Sequence, residues 1–133
     1  MIDYKSLIKK AQSVLNNSYS PYSHFKVAAC VLTKNNNTYT GVNIENSSYG
    51  ATICAERVAI SNAVLNNDKN IVCICIVSSS NDFTFPCGIC RQTILEFANN
   101  KDTEIVVAKN ENEYKIYTID ELLPNNFSSK DIK

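Results

Sequence analysis

Three of the six cysteines in this 133-residue chain sit among neighbours that would let a thiol do chemistry. Cys54 opens the run Cys54-Ala55-Glu56-Arg57, and Cys87 and Cys90 enclose Gly88-Ile89 directly after Pro86. Thiols three positions apart point the same way from the first turn of a helix. With Cys54 they make three thiolates, which leave the fourth position of a tetrahedral zinc to water. That is the arrangement of a catalytic rather than a structural site. A structural zinc would need a fourth ligand, and the only histidine, His24, stands between Ser23 and Phe25 with no second ligand at a fixed spacing. It reads as a surface or satisfied residue. Cys30, Cys73 and Cys75 lie within VAACVL and IVCICIV, where a thiol packs as a small hydrophobe. Taken alone, the Cys87/Cys90 pair also fits a redox dithiol, because a helix start lowers a thiol's pKa. Glu56 bears on that choice. It either favours a helix start by opposing the helix dipole or accepts the proton of a metal-activated water.

These side chains need elements to carry them. Tyr4, Leu7, Ile8, Ala11, Val14 and Leu15 recur at three- and four-residue intervals, so an amphipathic helix is predicted from Asp3, its cap, to about residue 17. Lys26 to Thr33 and Thr38 to Ile44 are β-prone runs around a polar turn, which predicts a hairpin. An irregular stretch from Glu45 to Ile53 leads into a helix from about Cys54 to Asn66. Ile71 to Ser78 is apolar on both faces and reads as a central buried strand. A further helix, Cys87 to Asn99, precedes two short strands, Glu104 to Ala108 and Tyr114 to Thr118, and a final helical turn at Ile119 to Leu123. Cys54 and Cys87 thus each open a helix beside the central strand. The order predicts one α/β domain spanning residues 1–133, a mixed sheet with helices on both faces.

Thirteen basic residues balance thirteen acidic ones, and the longest basic run is Lys9-Lys10. A grip on a nucleic-acid backbone, which needs clustered cations, is not expected. The longest apolar run, Ile71 to Val77, is seven residues, against the roughly 20 of a bilayer span. The first ten residues interrupt their apolar positions with Asp3, Lys5, Lys9 and Lys10, unlike a secretory signal. The expected compartment is the cytoplasm, where cysteines stay reduced and serve as ligands, nucleophiles or packing residues.

Five stretches carry a resemblance: Pro21-Tyr22-Ser23-His24-Phe25, Gly41-Val42-Asn43-Ile44-Glu45-Asn46, Cys54-Ala55-Glu56-Arg57, Pro86-Cys87-Gly88-Ile89-Cys90-Arg91-Gln92 and Glu121-Leu122-Leu123-Pro124. In this order they resemble the zinc-dependent cytidine deaminases, in their short homotetrameric form, over most of the chain. The resemblance implies a cytidine deaminase-like three-layer sandwich on a five-stranded sheet. It implies one Zn²⁺ per chain on Cys54, Cys87 and Cys90, with Glu56 as proton shuttle. It places Asn43 and Glu45 on the ribose and Phe25 against the nucleoside. Phe127 and Tyr49 would reach the site from a neighbouring subunit of a homotetramer with shared active sites. The chain departs from the usual pattern at Ala28 and Cys30, after Phe25, and at Val42. These are small apolar changes that touch packing, not chemistry.

The reaction implied is hydrolytic deamination of cytidine and deoxycytidine in pyrimidine salvage: water attacks C4, Glu56 moves its proton to N3, and ammonia leaves. Three thiolates give a zinc site a net formal charge of −1, which weakens its acidifying power. The only arginines, Arg57 and Arg91, each directly follow a ligand motif and could hydrogen-bond the sulfurs. Glu45 would accept from a sugar hydroxyl and repel phosphate, favouring a nucleoside over a nucleotide. Three other readings stay open. They are a deaminase of an aminonucleoside antibiotic, a polynucleotide-editing deaminase, and a zinc or redox module without enzymatic activity.

Overall fold

A strand that is apolar on both sides is stable only between two layers, and β3 (Ile71–Ser78) is such a strand. The computed structural model, which describes residues 1–132, puts it at the centre of a five-stranded sheet of order β2-β1-β3-β4-β5. β1 (Val27–Thr33), β2 (Thr38–Val42), β4 (Glu104–Asn110) and β5 (Glu113–Thr118) complete the sheet. Only β3 and β4 run parallel; the other neighbours are antiparallel, so the sheet is mixed as expected. Alternate residues of β3 serve alternate layers. Ile74 and Ile76 pack with α2 (Ala55–Leu65) and α3 (Gly88–Phe97), while Cys73, Cys75 and Val77 pack with Leu7, Ile8 and Ala11 of α1 (Tyr4–Val14). Each isoleucine so buried contributes on the order of 1.5–3 kcal/mol. Cys30 joins the α1 layer, and burial pushes its thiol up to about 11, as suits a packing residue. A short helix, α4 (Ile119–Leu122), follows β5 with a capping box between Thr118 and Glu121; it is not the last helical turn, since a 3₁₀ turn, Ser129–Asp131, comes after it.

Several boundaries differ from the sequence reading for local reasons. Asp3 caps α1 by accepting from Ser6 N–H at 3.1 Å, but the last turn tightens into a 3₁₀ segment, Leu15–Asn17. Cys54 and Cys87 are not the first helical residues; both are extended N-caps. β2 stops at Val42, two residues early. Asn43 to Glu45 stay extended but exchange partners: Tyr19 N–H donates to Asn43 and Glu45 N–H donates to Tyr19, while Ile44 pairs with Ile53. The irregular segment before α2 contains a 3₁₀ turn, Tyr49–Ala51.

Two contacts fix α2. At its middle, Gly41 of β2 lies so close that a Cβ there would fall 2.3 Å from Ala59 N and 2.7 Å from Ala55 O. Only glycine admits that approach. Just past its end, buried Asp68 accepts from Thr33 Oγ1 at 2.8 Å, Asn35 Nδ2 at 3.0 Å, Asn37 Nδ2 at 2.9 Å and Tyr39 OH at 2.9 Å. These four donors, led by Asn37, hold its carboxyl below the usual carboxylate range. The turn between β1 and β2 is thereby clamped to the end of the helix. A group whose folded pKa is lowered stabilises above its unfolded pKa and stops doing so as pH falls through the folded value. Asp68→Asn should therefore melt lower than the wild type at neutral pH, and the gap should close as pH drops below about 4. Thermal melts with a constant gap from neutrality into that acid range would contradict the clamp.

Candidate active site

α2 and α3 both begin at the end of the sheet where β1 starts and β3 finishes, and their caps bring three sulfurs together. The Sγ atoms of Cys54, Cys87 and Cys90 lie within 4.8 Å of one another, with Cys54 and Cys87 4.0 Å apart. Among the described residues no other group of three histidine, cysteine or acidic side chains is so placed. Exposed His24 takes no part, in line with the sequence reading. Helix starts expose unsatisfied N–H groups and positive dipole ends, so negative sulfur is favoured at both caps.

The charge balance within the cluster is uneven. A hydrogen bond from Cys90, assisted by the Arg57 guanidinium and by Cys87, holds the Cys54 thiol down to about 5. Sharing that hydrogen bond with Cys54, together with burial, pushes Cys90 up. Cys54 is thus biased toward the thiolate and Cys90 toward the thiol. A divalent cation among the sulfurs would let all three ionise, so this soft donor set fits zinc. Arg57 Nη2 donates to Cys54 Sγ at 3.6 Å, and its buried Nε has no protein acceptor. The other arginine does something else. Arg91 donates from Nε to the Pro86 carbonyl and from Nη1 to the Leu122 carbonyl, both at 2.8 Å. Among the described residues these contacts brace the loop before Cys87 against α4, and no hydrogen bond from Arg91 to a sulfur is present.

Beside the sulfurs opens a cleft of about 210 Å³, lined by Phe25, Asn43, Cys54, Glu56 and Cys87, with Thr84 and Phe85 on its far wall. Glu56 is only 4% exposed, and burial pushes its carboxyl up to about 7, where it can both take and return a proton near neutrality. Asn43 is also buried. Its Oδ1 accepts from Val27 N–H at 3.0 Å and from Ser18 Oγ, and its Nδ2 donates to the Phe25 carbonyl at 2.8 Å, leaving one N–H free. Glu45 lines an adjoining cleft of about 290 Å³ with Tyr22, Ser23 and Tyr49; Thr52 borders both. Tyr49 is 80% exposed. Phe127 is 60% exposed and lies in neither cleft; its carbonyl accepts from Gln92 Nε2.

Thr52, Thr84 and Phe85 were not singled out from sequence. The signal for the last two was their position directly before the Pro86-Cys87 motif. Phe85 packs against Tyr117 in a tilted arrangement, ring centroids 5.4 Å apart and planes at 60°, while the neighbouring Phe83 lies beneath Lys109 and Lys115, so this part of the cleft is anchored to β4 and β5.

With this geometry in place, comparison with known proteins is decisive. Residues 1–109 match the family described as the cytidine and deoxycytidylate deaminase zinc-binding region. The chain belongs to that deaminase family. Cytidine deaminase of Mycoplasma genitalium is 42% identical over 127 residues, covering 95% of this chain and 96% of the relative. That of Halalkalibacterium halodurans is 37% identical over 131 residues, covering 98% of both. The crystal structure of cytidine deaminase from Burkholderia pseudomallei superposes with a TM-score of 0.86 at 32% identity, over 96% of this chain and all of that one. The deaminase fold expected from the sequence, a mixed sheet between helical layers, is therefore the one found.

The two arginines can be told apart by measurement. Arg57→Gln should weaken metal retention about 10-fold or more in chelator competition, since partners of metal ligands commonly tune affinity on that scale. Arg91→Gln should retain metal better than Arg57→Gln and show itself as a lowered melting temperature. Equal metal loss from both variants would contradict the division of roles.

Proposed function

We propose that this chain, as one domain, is a zinc enzyme that hydrolyses cytidine and deoxycytidine to uridine and deoxyuridine with release of ammonia. The observation that carries this reading is a buried carboxyl, Glu56, on the wall of one cleft with Cys54 and Cys87. Membership of the deaminase family supports it, as do relatives named cytidine deaminase that match nearly the whole chain.

In this reading Cys54, Cys87 and Cys90 hold one zinc ion. When bound, the ion acidifies the water that serves as nucleophile. Glu56 accepts that water's proton and delivers it to ring N3 as the oxygen reaches C4. The same carboxylate then takes the proton of the new C4 hydroxyl and hands it to the amino group; the C4 carbonyl forms as the C4–N bond breaks, and ammonia leaves. One group can run both transfers because burial poises it between its charged and neutral forms. Arg57 tempers the charge of the sulfurs, and Phe25 packs on the nucleoside. The free N–H of Asn43 donates to a sugar hydroxyl and Glu45 accepts from one. A carboxylate at that place disfavours a phosphate, which argues for nucleosides over nucleotides and strands.

The exposed rings of Tyr49 and Phe127 suit contributions to a neighbour's site, so the working form in this reading is a homotetramer with shared sites. No helix among the described residues is long and apolar enough to cross a membrane. The six free thiols suit the reducing cytoplasm.

Glu56→Gln keeps the size of the side chain but cannot accept a proton. Turnover of cytidine should fall on the order of 10²- to 10⁴-fold while elemental analysis still finds zinc; near-normal ammonia release would remove Glu56 from the mechanism. In a substrate panel at one pH, cytidine and deoxycytidine should release ammonia readily, and cytidine monophosphate and single-stranded DNA poorly. Comparable rates on the monophosphate or the strand would overturn the nucleoside assignment.

A further inference from the structure

Ser23 joins side chains from both clefts. Its hydroxyl donates to Glu45 Oε2 and accepts from Phe25 N–H at 3.0 Å. Its backbone N–H and that of Tyr22 donate to Glu45 Oε1 at 3.1 and 3.0 Å. A carboxylate offers about four lone-pair sites. Three are thus taken by two adjacent residues, and the one left over is on Oε2, the oxygen that the Ser23 hydroxyl orients. The turn that presents these donors is closed by His24 N–H on the Ser20 carbonyl at 3.0 Å, with His24 in the left-handed region at φ 57°. Beyond Phe25 the same lacing continues, since the Phe25 carbonyl accepts from Asn43 Nδ2 at 2.8 Å. Among the described residues the Ser23 hydroxyl is the only protein donor to Glu45 Oε2 and the only protein acceptor for Phe25 N–H.

We propose that Ser23 is a positioning residue for the sugar: through one hydroxyl it aims the free acceptor of Glu45 and fixes the backbone that carries Phe25. The inference rests on the reading that Glu45 and Asn43 hold the sugar. Ser23 is itself exposed, so its loss acts on ligand affinity more than on the fold.

The test is steady-state kinetics with cytidine on the purified, zinc-loaded chain. Ser23→Ala should raise KM about ten-fold, the scale of one hydrogen bond to a charged group, with kcat and zinc content nearly unchanged. Ser23→Thr, which keeps the hydroxyl, should restore most of the loss. Because part of the effect passes through Glu45, adding Ser23→Ala to Glu45→Gln should raise KM by clearly less than it does in the wild type, the remainder reflecting the Phe25 contact. An unchanged KM in Ser23→Ala beside a raised KM in Glu45→Gln overturns the role of Ser23 alone. The same follows if Ser23→Thr is as impaired as Ser23→Ala, or if the two losses add fully. An unchanged KM in Glu45→Gln overturns the sugar reading and this inference with it. No ammonia from cytidine with the wild type overturns the proposed function itself.

Discussion

Helix α2 can deliver Cys54 and Glu56 to the end of the sheet only because β2 has no side chain at position 41. The helix backbone passes where a Cβ would stand, 2.3 Å from Ala59 N, so α2 lies flat on the strand instead of riding on a layer of side chains. Small residues on the helix, Ala55, Ala59 and Ala63, extend that close seating along its buried face. Asp68 then pins the far end to the β1–β2 turn. Held at its middle and its end, the helix has little freedom left at its start. There the separation of Cys54 from Cys87 and Cys90, at the start of α3, is set by packing and not by any covalent bond between them.

That placement creates the electrostatic problem the site has to manage. Three ionisable sulfurs and a buried carboxyl share a small volume, and anionic forms in such a place are costly unless opposed. Helix N-termini and Arg57 oppose them, and a bound metal would do so as well. Glu56 is left without a cation of its own, and burial keeps its proton exchangeable near neutral pH. A carboxylate in open solvent beside the same sulfurs would already be ionised and would make a poor donor to a leaving amine. In the proposed mechanism, depth in the fold and competence in proton transfer are one property.

Much of this was legible in the sequence, because the chemistry is written in local motifs. Cys54-Ala55-Glu56 and Cys87-Gly-Ile-Cys90 each place their groups within one helical turn, and the double-sided apolar pattern of Ile71 to Val77 required a central strand. What the sequence hid depends on long-range partners. Asp68 looks like an ordinary turn residue, since its four donors lie 29 to 35 positions away. Arg91 follows a ligand motif just as Arg57 does, yet carbonyls at Pro86 and Leu122 claim it. Asn43 and Glu45 alternate as on a strand, but the ladder ends at Val42, and Tyr19, far back in the chain, takes over the pairing. Composition and periodicity contain no term for such exchanges.

The spacing of the sulfurs along the chain has a consequence for what a bound metal stabilises. Cys54 and Cys87 are 33 residues apart, and the segment between them includes α2 and the whole central strand. A metal bound at both caps therefore closes a covalently tethered ring around the middle of the fold, much as a disulfide would, and removes loop entropy from the unfolded ensemble. Such a ring favours the arrangement in which β3 lies in the sheet with both helices docked, so metal held at both caps would add to the stability of the whole core and not of the site alone.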